Sequence, residues 1–219
     1  LGAALLPALA SIIYVNLLSK LKKFWSGVKF PFWAKPALAG LMVGIVGIWL
    51  PDVFGTGLSQ TKTIFSGNAY PFTMLLALVV AKIVLTPNSL GAGFVGGVIG
   101  PALVIGAALG AAYGDVIAQL IPGTATPPVA FAMIATAAML AGTFQAPLFG
   151  AMMIFEMCGN YEMLLPLLFA AAIGYGVAHW FQPGSAYTFA FKGAGIKVTP
   201  RTFAVESTES PGARESAPK

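Results

Sequence analysis

The sequence predicts an all-α polytopic membrane protein, built from short, tilted and broken helices. Of its 219 residues, 58% are hydrophobic and only 9% are charged, whereas a soluble domain carries about 25% charged residues. The apolar residues form separate stretches, and several are interrupted by Gly and Pro or fall short of the roughly 20 residues that a straight span needs. Short and interrupted helices are typical of transporters, which use them to place polar backbone inside the membrane.

Turn-forming residues set the predicted ends of the helices, because proline removes a backbone donor and clashes with the preceding turn. Pro51 ends the second apolar stretch, Pro87 ends the fourth element, and Gln145–Pro147 breaks the alanine-rich region. The predicted helices cover about residues 1–25, 32–50, 71–85, 98–121, 130–140, 147–156 and 163–180, with a short helix inside 55–67 and another that begins near 187.

Composition divides the chain near residue 200. Residues 1–199 carry the apolar stretches and form the predicted membrane domain. Residues 200–219 are rich in Ser, Pro, Glu and charge, and such a composition buries too little apolar surface to order itself, so we predict a disordered tail. The chain opens on Leu1 inside an apolar stretch, from which we expect it to be a piece of a longer protein.

Lysine residues predict which side of the membrane the loops face. A group of them crowds the segment between the first two apolar stretches, with no acidic residue among them: Lys20, Lys22, Lys23, Lys29 and Lys35. Because Lys and Arg accumulate in cytoplasmic loops, this segment and the basic C-terminal stretch are predicted to be cytoplasmic. A lysine-rich loop beside anionic lipid also accounts for the net charge of +5, so nucleic acid is not an expected partner.

The sequence offers little for catalysis. It shows no pairing of nucleophile and base, no cluster of metal-ligand residues and no Walker-type phosphate loop, so we predict neither an enzyme nor a cofactor. Cys158 is the only cysteine, which leaves no intrachain disulfide, and we expect it to be a small packing residue. His179 has no acidic or cysteine neighbours and is expected to be structural rather than a metal ligand.

Charged residues are rare inside the apolar stretches, where an ionisable group is costly and therefore a functional candidate. Lys82 either supplies a fixed positive charge that attracts anions, or reaches an interface or caps nearby carbonyls. Glu156 either relays protons, or pairs or caps where the chain turns at Gly159–Tyr161. The residues themselves favour the structural alternative for both.

The most informative segment is Gly91–Pro101, GAGFVGGVIGP, which runs directly into a long apolar stretch. The first N–H groups of a helix have no partner within the helix and carry the positive end of its dipole. A small anion can therefore bind them where no side chain intervenes. The alternative is a flexible glycine hinge or a surface for close helix packing, and glycine content leaves both open.

Tyr187 follows a Gly-Ser turn at the start of a short helix that leaves the membrane. Its hydroxyl can donate a hydrogen bond to an anion. The alternative is an aromatic anchor at the membrane interface, where tyrosine is common. The sequence alone favours neither role of Tyr187 over the other.

Several segments together resemble, in order, the CLC chloride channels and transporters. The matching segments are GGVIGP at Gly96–Pro101, similar to the anion-site motif GGxFxP; AKIVLT at Ala81–Thr86, which precedes it; FQAPLFGAMMIFEMCGNY at Phe144–Tyr161, which resembles APLxGxxxxxE; and SAYTFAF, whose Tyr187 matches the tyrosine that opens the last helix. The resemblance covers about Leu1 to Lys197. It implies transport of chloride or a similar small anion, as a channel or an anion/proton antiporter. The anion would be held by the backbone at Gly97, Val98 and Ile99 and by the hydroxyl of Tyr187.

The chain departs from the family pattern within the loop. Ile99 stands in place of the usual Phe and is followed by Gly100, and Ala92, Phe94 and Val95 replace a serine-containing turn. A ligand that binds the backbone tolerates exchange of side chains, so we still expect anion binding. Selectivity among anions is left open, and a fluoride-selective antiporter of the same family is an alternative.

The resemblance extends only to the second half of a fold that the family builds from two inverted halves. The GSGIP-type loop and the GxEGP loop with its gating glutamate, which belong to the first half, are not found in this chain. The resemblance therefore implies a missing N-terminal half as a partner, and it leaves proton coupling open. It also implies a homodimer, with Pro147–Glu156 and Met163–Trp180 at the subunit interface. The alternative is a membrane module that transports nothing without its partner half.

Overall fold

The computed structural model describes residues 2–31, 33–67, 70–121, 127–182 and 184–188, and regular secondary structure in these ranges is helical, without strands. The helices are α1 Gly2–Gly27, α2 Ala34–Trp49, α3 Leu58–Phe65, α4 Phe72–Ala92, α5 Ile99–Leu120, α6 Pro128–Phe144, α7 Pro147–Cys158 and α8 Leu164–Phe181, with short 3-10 turns at Pro51–Val53 and Tyr161–Met163. This confirms the predicted all-α class. The predicted tail, residues 200–219, lies outside the described residues.

Several helices are long and apolar enough to cross a membrane. In the described part of the chain these segments are Gly2–Gly27, Phe72–Ala92, Ile99–Leu120 and Tyr161–Thr188. α2, α6 and α7 are apolar but shorter, as the interrupted pattern predicts. Large apolar side chains cover the outside: Trp49 of α2 is 87% exposed and Trp180 of α8 is 85% exposed. Such a surface fits a protein embedded in lipid.

α6 lies at the centre of the fold, where it packs against α1, α5, α7 and α8. Its residues from Ala135 to Phe144 are all buried. Glycines bring α5 close to it: a Cβ added to Gly106 would lie 2.6 Å from Thr136 Cα, and one added to Gly114 would lie 2.8 Å from Pro128 Cα. Small residues along one helix face let membrane helices approach closely, and here they fix α5 against the core.

α4 is longer than predicted. The predicted end at Leu85 was wrong, because the helix continues through Pro87 to Ala92. Asn88, the residue after Pro87, is buried and accepts a hydrogen bond of 3.0 Å from Trp25 Nε1 of α1. Membrane helices tolerate proline where neighbouring helices hold the chain in place. The extension shortens the glycine loop to residues 93–98.

The breaks after α5 and α6 fall where the sequence predicts them. α5 ends at Leu120, and α6 begins at Pro128 and extends to Phe144, which is longer than the predicted 130–140. Gln145, with φ of 56°, separates α6 from α7. Tyr187 lies in a helical turn over residues 186–188, and the rest of its predicted helix lies outside the described residues.

Candidate anion site

The loop that leads into α5 starts with a left-handed turn. Gly93 has φ of 106°, a conformation that glycine adopts without strain. Its amide donates to Leu90 O at 3.3 Å and that of Phe94 donates to Ser89 O at 3.1 Å, which closes the end of α4. The chain then runs without regular structure to Val98, the residue that caps α5.

A run of unsatisfied amides follows at the start of α5. Within the described ranges, no N–H group of residues 96–100 donates to a protein acceptor. Pro101 has no N–H group, and the amide of Ala102 makes the first bond of the helix, to Val98 O at 3.3 Å. These free donors sit at the positive end of the α5 dipole, which is the arrangement that binds small anions in many proteins.

The glycines around these amides differ in their surroundings. A Cβ added to Gly97 would meet no atom within 4 Å, whereas one added to Gly100 would collide with the carbonyl of Thr56. At Gly91 an added Cβ would lie 3.0 Å from Leu21 O of α1. Both interpretations of the glycine content therefore apply to parts of the segment: its ends are packed against other backbone, and its centre is open.

A cavity of about 520 Å³ lies on one side of the loop and is lined by Gly97, Gly100 and Lys82, among others. Lys82 is buried, and its Nζ donates to Val53 O at 2.8 Å and to Gly55 O at 3.1 Å. These bonds confirm the carbonyl-capping interpretation of Lys82. They also fix its ammonium group beside the cavity.

A second cavity, of about 280 Å³, is also lined by residues of the loop. Val98, Tyr187 and Lys22 line it together, with Lys22 contributed by the lysine-rich end of α1. The ring of Tyr187 packs on Phe144, with 5.5 Å between the ring centroids. Residues 94–96 line both cavities, so the glycine loop borders each of them.

The structure brings only some of the predicted site residues together. Val98 and Tyr187 line the same cavity, whereas Gly97 faces the larger one. Ile99 is half-buried at the first turn of α5 and lines neither of these two cavities. Their roles as anion ligands stay predictions.

Sequence reasoning missed Tyr14. This residue of α1 is fully buried, and its hydroxyl has no hydrogen-bond partner among the residues that the structure describes. A signal was available, because a side chain with a polar tip stood in the middle of an apolar helix. Tyr14, Leu18 and Lys22 also follow one another at intervals of four residues, which places them on one helix face.

The remaining candidates lie away from the loop. Glu156 is exposed on α7 and has no hydrogen-bond or ion-pair partner among the described residues, so its predicted pairing or capping is not found there. His179 Nδ1 lies 2.9 Å from Gln145 Oε1, and its ring stacks on Tyr175, in keeping with a structural role. The described residues contain no group of three potential metal ligands.

Comparisons with known proteins agree with this arrangement. A family model described as "Voltage gated chloride channel" matches residues 1–179. The putative chloride channel protein ClcB-like of Ralstonia nicotianae is 37% identical over 187 residues, which are 85% of this chain and 43% of that protein. The H(+)/Cl(-) exchange transporter ClcA of Vibrio campbellii is 31% identical over 131 residues, which are 60% of this chain and 28% of that protein.

A solved structure shares the fold. The crystal structure of a slow cyanobacterial Cl−/H+ antiporter superposes with a TM-score of 0.74 and 23% sequence identity, over 89% of this chain and 48% of that chain. This chain thus spans about half the length of the Ralstonia nicotianae protein and of the cyanobacterial antiporter. Since the family model covers α1 to α7, most of α8 and the glycine loop, the chain belongs to the voltage-gated chloride channel family.

Proposed function

We propose that the complete protein carries chloride or a similar small anion across the membrane, as a channel or an anion/proton antiporter. The observation that carries this proposal is the run of free amides at residues 96–100, beside a cavity that Tyr187 lines. The family consists of channels and transporters rather than enzymes, and the names of its matched members include chloride channels and a proton/chloride exchanger.

In this proposal the amides of Val98 and Ile99 and the hydroxyl of Tyr187 hold the anion. Gly97 keeps side chains away from these amides, since the space around its Cα is open. The contact with Phe144 orients the Tyr187 ring. All of these groups donate hydrogen bonds or expose backbone, so they favour an anion over a cation.

The two cavities would then be the approaches to the site from either side. Each contains a lysine, Lys82 in the larger and Lys22 in the smaller. A cleft of one charge sign raises the local concentration of the opposite ion. Because Lys22 belongs to the lysine-rich end of α1, we assign the smaller cavity and the C-terminus to the cytoplasmic side.

Magnitudes indicate that this half cannot hold a dry anion by itself. Moving a bare ion into a low-dielectric interior costs tens of kcal/mol by Born estimates. A helix N-terminus contributes up to about 2 kcal/mol, and a charge-assisted hydrogen bond about 1.5–3 kcal/mol. Water or further donors must complete the shell, and the half that this chain lacks relative to its relatives is the natural source.

The isolated chain is therefore best described as a module that needs its partner half. Residues 1–199 reconstituted alone in liposomes should not sustain chloride efflux, whereas both halves together should. Efflux from the isolated module at the rate of the complete protein would contradict this requirement.

Competition between fluoride and chloride in the same assay distinguishes a fluoride-selective antiporter. Uptake driven by a pH gradient identifies proton coupling.

We further propose a homodimer through α7 and α8. Both helices present exposed apolar side chains, among them Leu148 and Met152 on α7 and Leu165 and Phe169 on α8. A second subunit would pack against this surface more closely than lipid does, because side chains can interdigitate across helices.

Tyr187→Phe tests the site itself. In the full-length protein this change removes one hydroxyl and keeps the ring on Phe144, so we expect chloride affinity to fall about tenfold, as the loss of roughly 1.4 kcal/mol implies. Isothermal calorimetry measures the affinity. Tyr175→Phe, on α8 beside His179, is the matched control and should bind like the unmodified protein. Unchanged affinity in Tyr187→Phe would remove Tyr187 from the site.

A further inference from the structure

We propose that the hydroxyl of Tyr14 is a second phenol donor to the anion, acting from α1 next to Tyr187. The inference rests on the proposed function, since it adds a donor to the same coordination shell. It concerns a residue outside the four segments that carry the family resemblance, on α1 rather than on the loop that leads into α5.

The first argument is that the Tyr14 hydroxyl lacks a partner. The side chain is fully buried, and its hydroxyl makes no hydrogen bond within the part of the chain that the structure describes. Buried polar groups in native proteins are almost always paired, either with protein or with an ordered ligand or water. An orphaned hydroxyl of this kind therefore indicates that something binds there.

Other buried hydroxyls in the molecule show what is usual. Ser11 donates to Ala8 O at 2.7 Å and Thr136 donates to Ala132 O at 2.6 Å, each within its own helix. Thr143 also lacks a partner, but a threonine can rotate its hydroxyl onto a carbonyl of the preceding turn. The rigid ring of Tyr14 carries its hydroxyl beyond reach of its own helix, so its partner must come from elsewhere.

The position of Tyr14 indicates which ligand that is. Tyr14 belongs to the same cluster of buried side chains as Val98, Phe144 and Ala186. Leu18, one turn further along α1, lines the smaller cavity together with Val98 and Tyr187. Tyr14 is thus one helix turn from the cavity that Val98 and Tyr187 line, and in this proposal its hydroxyl reaches the anion directly or through one water of the hydration shell.

Tyr14→Phe in the full-length protein tests the inference, because it deletes the hydroxyl and preserves the shape of the ring. We expect about a threefold to tenfold loss of chloride affinity by calorimetry, the range for one neutral hydrogen bond. The rise in melting temperature on adding chloride should shrink as well. Tyr113→Phe, a half-buried tyrosine that packs on Phe131, is the control and should change neither quantity.

Measuring Tyr187→Phe in parallel distinguishes a failure of the proposed function from a failure of the role proposed for Tyr14. If the unmodified protein does not bind chloride, the proposed function fails and this inference fails with it. If Tyr187→Phe weakens binding and Tyr14→Phe binds like the unmodified protein, only the role of Tyr14 is overturned.

A second variant covers the case in which Tyr14→Phe does not fold. 3-Fluorotyrosine at position 14 keeps the hydroxyl and makes it a stronger donor. Tighter chloride binding is the expected result, and an unchanged affinity overturns the inference.

Discussion

A Cβ added to Gly110 of α5 would collide with the carbonyl of Phe131 in α6, whereas one added to Gly97 in the preceding loop would meet no atom within 4 Å. At Gly110 the missing side chain allows two helices to touch along their backbones. At Gly97 it leaves backbone amides open to a cavity. The residue type is the same at both positions, and its surroundings decide whether it serves packing or binding.

Glycines that stabilise the fold and glycines that leave room for a ligand therefore lie within one short stretch of chain. Substitutions in the α5 glycines should act on folding, because they force helices apart. Substitutions in the loop should act on the anion, because they fill space that a ligand would use. The two sets of glycines can therefore be tested against each other in the same protein.

Gly110→Val should have the largest effect. A valine there must push α5 from α6, and we expect a loss of about 3 kcal/mol or more in stability, at the upper end for overpacked cores. Thermal unfolding in detergent measures it. Gly176→Val on α8, where an added Cβ would meet nothing within 4 Å, is the matched control and should leave the melting temperature nearly unchanged. Equal melting temperatures for the two variants would contradict the packing role of Gly110.

Gly97→Val should leave folding intact and weaken anion binding. The new side chain stands in front of the free amides, and we expect about a tenfold loss of chloride affinity with stability changed by less than about 0.5 kcal/mol. Chloride efflux from liposomes and calorimetry measure the two effects. Ile99→Leu, a conservative exchange next to the same amides, should cost far less. A larger loss in Ile99→Leu would argue against a site built from backbone.

The helices themselves were largely predictable, because Gly and Pro mark most of their ends. The exception is α4, which passes through Pro87. In its last turns, Asn88 bonds to Trp25 of α1, a residue 63 positions away. A local rule about proline cannot anticipate a contact of that separation.

The candidate site was predictable where its residues are neighbours in the sequence. The loop before α5 shows its glycines as a continuous motif, and Tyr187 stands at a recognisable turn. Lys22 comes from α1, and only the packing of α1 on α4 and α6 brings it to the cavity beside the loop, while Tyr14 lies two turns earlier on the same helix. The choice between the two roles of Lys82 likewise needed the positions of the carbonyls at Val53 and Gly55.

Anomalous diffraction from crystals of the full-length protein grown in bromide tests the central claim most directly. The account predicts a bromide peak within hydrogen-bonding distance of the amides of Val98 and Ile99 and of the Tyr187 hydroxyl. It also predicts that the peak weakens in Gly97→Val crystals. No peak at this position at saturating bromide, with these amides instead bonded to protein carbonyls, would contradict it.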